Sequence, residues 1–157
     1  DVLALALAAE ELAREVYRRA VAARPFRGPW AAYLEAALAQ EEEHARRLRE
    51  ALGRQPALRF RLPEVFQSPI LLLRLLESLE EAFVGAYLGA LPLLEGEALR
   101  LAGAILGVEA GHRVLVRQAR LELQDPLLRP PFVANDRALE QALSPEGARE
   151  ALKPYLP

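Results

Sequence analysis

The chain contains only two histidines, and each follows a glutamate by three positions: Glu41-Glu42-Glu43-His44 and Glu109-Ala110-Gly111-His112. Glutamate fills 19 of 157 positions, so chance would put both histidines at that offset about one time in seventy. On an α-helix, residues i and i+3 share a face, and a carboxylate and an imidazole placed there can chelate one cation together. Both pairs sit on stripes that are otherwise apolar. The first stripe reads Leu34, Ala37, Leu38, Glu41, His44, Leu48, Leu52, and the second Ala98, Ala102, Ile105, Glu109, His112, Val116, Ala119. An unpaired buried carboxylate costs several kcal/mol or takes up a proton, so charged groups on a core face call for a counter-charge. Surface glutamates beside incidental histidines are the plain alternative.

The remaining periodicity predicts two more helices and a tail. Residues 2–22 place Leu3, Leu7, Glu10, Ala13, Tyr17 and Val21 on one stripe, with Glu11, Arg14, Glu15 and Arg18 outside it. Pro25, Gly28 and Pro29 break that helix, and the second runs from about Pro29 to Leu52 before Gly53. Residues 53–68, with Pro56, Pro63, Phe60 and Phe66, lack a helical period and read as a crossover held down by aromatics. Ser68-Pro69 is an N-cap followed by a first-turn proline, opening a third helix over roughly 69–91 with inner residues Leu73, Leu76, Glu80, Phe83, Tyr87 and Leu91. Glu77, Glu81 and Arg74 fall on its other side. The fourth helix spans about 96–122, and two short helical pieces are expected at 136–143 and 145–153.

An internal repeat ties these elements together. Glu10 precedes Tyr17 by seven positions and is followed by Glu41-x-x-His44; Glu80 precedes Tyr87 by seven and is followed by Glu109-x-x-His112. Each half is thus a helix pair offering one lone glutamate and one Glu-x-x-His. Two such hairpins related by a pseudo-twofold would converge six side chains at the centre of a bundle with one long crossover. Glu11 or Glu15 is the alternative inward acid to Glu10, and Glu77 or Glu81 to Glu80; stripe and repeat favour Glu10 and Glu80. The Gly103, Gly107, Gly111 row permits close approach of another backbone, the tail or a partner subunit, with an accidental run of small residues an equal alternative. The arginines at 46–49 and 117–120 read as solvated faces.

Composition narrows the function classes. A net charge of −2 and the absence of a long apolar run argue against nucleic acid and membrane. The lack of cysteine excludes disulfides, thiolate metal sites and iron–sulfur clusters. The chain opens at Asp1 with no signal peptide to read, which leaves export open, with the cytoplasm slightly favoured.

Leu7-Ala8-Ala9-Glu10 through Tyr17-Arg18-Arg19-Ala20, Gln40 to His44, Leu79-Glu80 through Ala86-Tyr87-Leu88-Gly89-Ala90 and Val108 to His112 resemble the ferritin-like superfamily, in particular its small bacterial ferritin-like branch. The resemblance covers about residues 2–120. It implies an all-α, antiparallel four-helix bundle with one crossover between helices 2 and 3, one ferritin-like domain over 1–157 with the bundle at about 2–122 and a short helical tail at about 123–157. It further implies two iron or manganese ions per chain. On that pattern Glu10 and Glu80 are terminal carboxylates, Glu41 and Glu109 bridge both ions, and His44 and His112 supply one nitrogen each. Tyr17 and Tyr87 are candidates to donate to a bridging carboxylate, with simple core packing an equal alternative. The function implied is redox activity toward O2 or H2O2, ferroxidase-like or peroxide-scavenging. Non-catalytic metal binding, iron storage and a structural, stress-protective bundle are the alternatives. A homodimer or higher homo-oligomer is left open.

Overall fold

The computed structural model describes residues 2–54 and 57–157; Asp1 and the crossover residue Pro56 lie outside the described residues. The described residues form an all-helical bundle: α1 (Val2–Ala23), α2 (Pro29–Leu52), α3 (Pro69–Ala90), α4 (Gly96–Glu122) and a short α5 (Pro145–Leu152). The local chemistry accounts for the boundaries. Gly53 adopts φ 68° and closes α2 with its N–H on the Arg49 carbonyl, a left-handed conformation glycine takes without a side-chain penalty. Ser68 and Ser144 each accept a hydrogen bond from the first turn of the helix they precede, with Pro69 and Pro145 following. A single 3₁₀ turn, Leu91–Leu93, leads from α3 into the connection to α4.

The helices pair as two hairpins, α1 on α2 and α3 on α4, with α1 meeting α3 and α2 meeting α4 across the middle. Two apolar clusters form the core. The larger includes Leu12, Val16, Leu34, Leu72, Leu76, Phe83 and Val116; the smaller joins Leu7, Ala45, Leu48, Tyr87, Ala102 and Ile105. Phe66 of the crossover is buried in the larger one, with Phe60 and Leu62 packed against it. The inner acids of all four long helices lie between these clusters, so the apolar layers exclude water on both sides of one polar layer.

The tail departs from the sequence reading in its first part. Residues 136–143 are not helical; only α5 forms. Asp136, which would have opened that helix, instead takes the guanidinium groups of Arg113 and Arg117 at 2.8 and 3.0 Å. Further along, the Leu143 N–H donates to the Gly85 carbonyl of α3 at 2.8 Å. Docking onto α3 and α4 consumes the groups that a local helix would need. This close approach is made at Gly85 and Gly89, not at the α4 row. A methyl group on Gly89 would lie 1.8 Å from the Leu143 carbonyl oxygen, whereas Gly103, Gly107 and Gly111 face open space.

Several charged side chains are internal, including Glu11 and Glu77, which the stripes placed outside. Arg113 is fully buried, and Glu77 is buried between Arg117 (2.6 Å) and Arg120. Arg120 and Arg74 in turn grip Asp125, at 2.8 and 2.5 Å. Glu11 is likewise buried, paired with Arg49 and, at 2.6 Å, with Arg14. Arg46, by contrast, lies on the exposed face expected of it. These pairs clamp α1 to α2, α3 to α4 and the tail to both of the latter.

Two outcomes test this packing. Gly89→Ala would stabilise an exposed helix by about 1 kcal/mol, yet here it should expel the tail. Trypsin should then cut after Arg137 faster, with circular dichroism of the long helices unchanged; an unaltered digestion rate would refute the docking. Glu77→Ala takes one of two acidic partners from each of Arg117 and Arg120, which keep Asp136 and Asp125, and should cost about 2 kcal/mol in urea unfolding, where a surface acid would cost almost nothing.

Candidate metal centre

Glu10 of α1, Glu41 and His44 of α2, Glu80 of α3, and Glu109 and His112 of α4 are all buried and meet in the polar layer. They form two overlapping groups that could each hold a metal ion: Glu10, Glu41, His44 and Glu109, and Glu41, Glu80, Glu109 and His112. Within each group the donor atoms all lie within 4.8 Å of one another, and Glu41 and Glu109 belong to both. The helical offset explains the local part, since each Glu-x-x-His projects both groups from one helix face. The competing acids do not join: Glu11 and Glu77 are buried in arginine pairs, while Glu15 and Glu81 pair with Arg19 and Arg137.

Contacts between the halves are reciprocal. Tyr17 donates to Glu80 Oε1 at 2.5 Å, and Tyr87 donates to Glu10 Oε1. His44 Nδ1 lies 3.0 Å from Glu109 Oε1, and His112 Nδ1 lies 3.1 Å from Glu41 Oε1. Both exchanges run in opposite sequence directions, which makes α1 antiparallel to α3 and α2 antiparallel to α4. The tyrosines therefore serve the lone glutamates, not the shared pair considered from sequence. Each hydroxyl ties up one oxygen of its carboxylate and leaves the other facing the centre.

Electrostatics follow from four carboxylates in an apolar core. Burial, with Glu109 and Glu41 nearby, pushes Glu10 well above the usual carboxylate range. Burial and Glu109 do the same to Glu80, against the opposing pull of His112. Burial alone would lower both histidines, but the surrounding carboxylates outweigh it. Glu10, Glu109 and Glu41 push His44 up to about 12, and Glu109, Glu41 and Glu80 do so for His112. Glu109 falls to about 2 despite its burial, because His112, His44 and the protonated Glu80 stabilise its anion. In the metal-free chain, protons stand where cations would.

The donors also fit a metal on hydrogen-bonding grounds. Both oxygens of Glu41, Oε2 of Glu80 and Oε1 of Glu109 are buried without a hydrogen bond. Buried polar atoms normally have partners; Glu80 Oε2 has none, and the other three meet only a histidine Nδ1 at 3.0 to 3.5 Å outside hydrogen-bond alignment, which leaves room for cations to satisfy them. Carboxylate oxygens with two imidazole nitrogens suit iron or manganese in softness. An outer ring surrounds His112: Gln40 Oε1 lies 2.7 Å from its Nε2, and the Tyr17 and Tyr33 rings pack at 5.8 and 6.0 Å between centroids. Tyr33 and Gln40 were given no role from the sequence; Tyr33 stands eight residues before Glu41 and Gln40 four before His44, and those helical offsets were the available signal.

Beside Tyr87, between α1, α3 and α5, lies an apolar pocket of about 40 Å³ lined by Leu5, Ala9, Ala86, Leu143 and Leu152. No helix among the described residues is long and apolar enough to cross a membrane. No curated protein and no solved structure matches the chain. The family model described as a ferritin-like domain matches residues 1–122, most of the chain and all four long helices, and the protein belongs to that family.

Proposed function

We propose that the protein binds two iron or manganese ions and acts as a redox enzyme on O2 or H2O2. The observation behind this reading is the pair of overlapping four-residue groups sharing Glu41 and Glu109. Glu10 and His44 would hold one ion, Glu80 and His112 the other, and Glu41 and Glu109 both. Such a pair, when bound, supplies two-electron chemistry toward a small oxidant. The chain's own part is to position the carboxylates and His112 before the ions arrive and to keep bulk water out. Tyr17 and Tyr87 orient the terminal carboxylates, and the apolar layers above and below raise the strength of every charge interaction between them. The 40 Å³ apolar pocket beside Tyr87 has room for small molecules such as O2 or H2O2.

Elemental analysis after anaerobic Fe(II) or Mn(II) loading should give about two ions per chain, expected from the shared-carboxylate arrangement. Glu41→Ala and Glu109→Ala should each lose both ions, because each removed carboxylate serves both positions. Retention of full stoichiometry in either variant would overturn the bridging assignment. Consumption of H2O2 or O2 by the loaded protein separates an enzyme from a storage or structural bundle.

The proton-filled site also predicts a pH dependence. Each histidine is raised from 6.5 to about 12, so its contribution is complete below pH 6.5 and is lost as pH climbs toward 12. Glu10 and Glu80, also raised, act in the same direction above pH 4.5. Glu109, lowered to about 2, loses its contribution only as pH falls from 4.5 through 2. Metal-free protein should therefore lose thermal stability from pH 6.5 upward, by at most about 1.4 kcal/mol per unit for each histidine. Metal affinity should rise over the same range, because the ions displace those protons. Melting curves in chelator that stay flat up to about pH 9 would contradict the imidazolium pair.

A further inference from the structure

We propose that the two metal positions are unequal, that the Glu80/His112 position fills first and holds its ion more tightly, and that Gln40 sets the difference as a positioning residue. The inference rests on the di-metal reading and extends it to the surroundings of the donors.

The six inner side chains obey the pseudo-twofold, but their neighbours do not. Glu41 and His44 map onto Glu109 and His112 with the same offset of 68 positions. With that offset, Gln40 maps onto Val108 and Tyr33 onto Leu101. One half thus carries a carboxamide and a phenol where the other has two hydrocarbon side chains.

The consequence appears at the histidines. Gln40 Oε1, 2.7 Å from His112 Nε2, can only accept, so a neutral His112 keeps its proton on Nε2. That tautomer leaves the Nδ1 lone pair facing Glu41, Glu109 and Glu80, whose oxygens lie at 3.1, 3.3 and 3.5 Å. The Tyr17 and Tyr33 rings, joined hydroxyl to hydroxyl at 2.6 Å, pack against the same imidazole. His44 also points Nδ1 at three carboxylates, but among the described residues nothing hydrogen-bonds its Nε2. Its side chain is 10% exposed, against 3% for His112 and at most 1% for the four glutamates. His112 is therefore preset in ring orientation and tautomer, while His44 must be fixed by the ion it binds. Outer hydrogen bonds of this kind change metal affinity by roughly 10–100-fold.

Mn(II) titration of the stripped protein, with free Mn(II) read by electron paramagnetic resonance, tests the proposal without using activity. Wild type should bind in two resolved steps. Gln40→Val, which gives the site the valine of the other half, should weaken the first step by roughly 10–100-fold and leave the second in place. Gln40→Glu keeps an acceptor and should retain the tight step. Gln40 is exposed, so metal-free melting temperatures should match and exclude a folding defect. Two equal steps in wild type, an unaffected first step in Gln40→Val, or a Gln40→Glu variant as weak as Gln40→Val would each overturn the inequality while leaving the di-metal reading standing. No Mn(II) or Fe(II) bound by wild type would overturn the di-metal reading itself.

Discussion

Four carboxylates buried in one apolar layer are the constraint around which the protein is arranged. Desolvation and mutual repulsion both oppose their ionisation, and no lysine or arginine reaches them among the described residues. The only positive groups within contact distance are two imidazoles, which titrate, unlike a guanidinium. The layer can thus be neutralised either by protons or by cations. The antiparallel exchange between halves, with each tyrosine holding the other hairpin's glutamate, fixes the terminal carboxylates across the layer.

The second buried polar network shows what a structural solution looks like in the same molecule. Glu77, Asp125 and Asp136 are matched by Arg74, Arg113, Arg117 and Arg120, whose guanidinium groups carry permanent charge. That network needs nothing from outside, and its task is to clamp α3, α4 and the tail. Both networks lie on the same helices, with similar numbers of acids. The difference is the identity of the positive partner, and it separates a site open to metal from a clamp.

The legible part of the fold was the part governed by local periodicity and punctuation. Stripes, Pro29, Gly53, Ser68-Pro69 and Ser144-Pro145 placed the long helices and α5, because caps and first-turn prolines act within a few residues. The repeat of Glu, Tyr and Glu-x-x-His pointed to the six side chains that meet in the centre. The less legible part depended on contacts distant in the chain. Glu77 read as outward because a stripe argument assigns charge to solvent, and only the opposing helix provides the partner that permits burial. The α4 glycine row offered a groove that no described residue of this chain enters, while Gly85 and Gly89 received the tail, a choice made by where Leu143 arrives. Residues 136–143 had helical composition, but Asp136 and Leu143 gained more from α4 and α3 than a short isolated helix returns.

A duplicated ligand set would by itself give two equivalent positions, since each offers one terminal glutamate, one imidazole and the same two shared carboxylates. Any difference between them must come from groups that touch the donors without joining the set. Here those groups are concentrated on α2, where Tyr33 and Gln40 face the imidazole of the opposite half. α4 returns only leucine and valine at the matching positions. The shared glutamates make the two positions interdependent, so an ion held firmly at one would set the orientation of Glu41 and Glu109 for the other. On the proposed di-metal reading, asymmetry outside the donor set would turn a symmetric cluster into an ordered one, with no change in the donors.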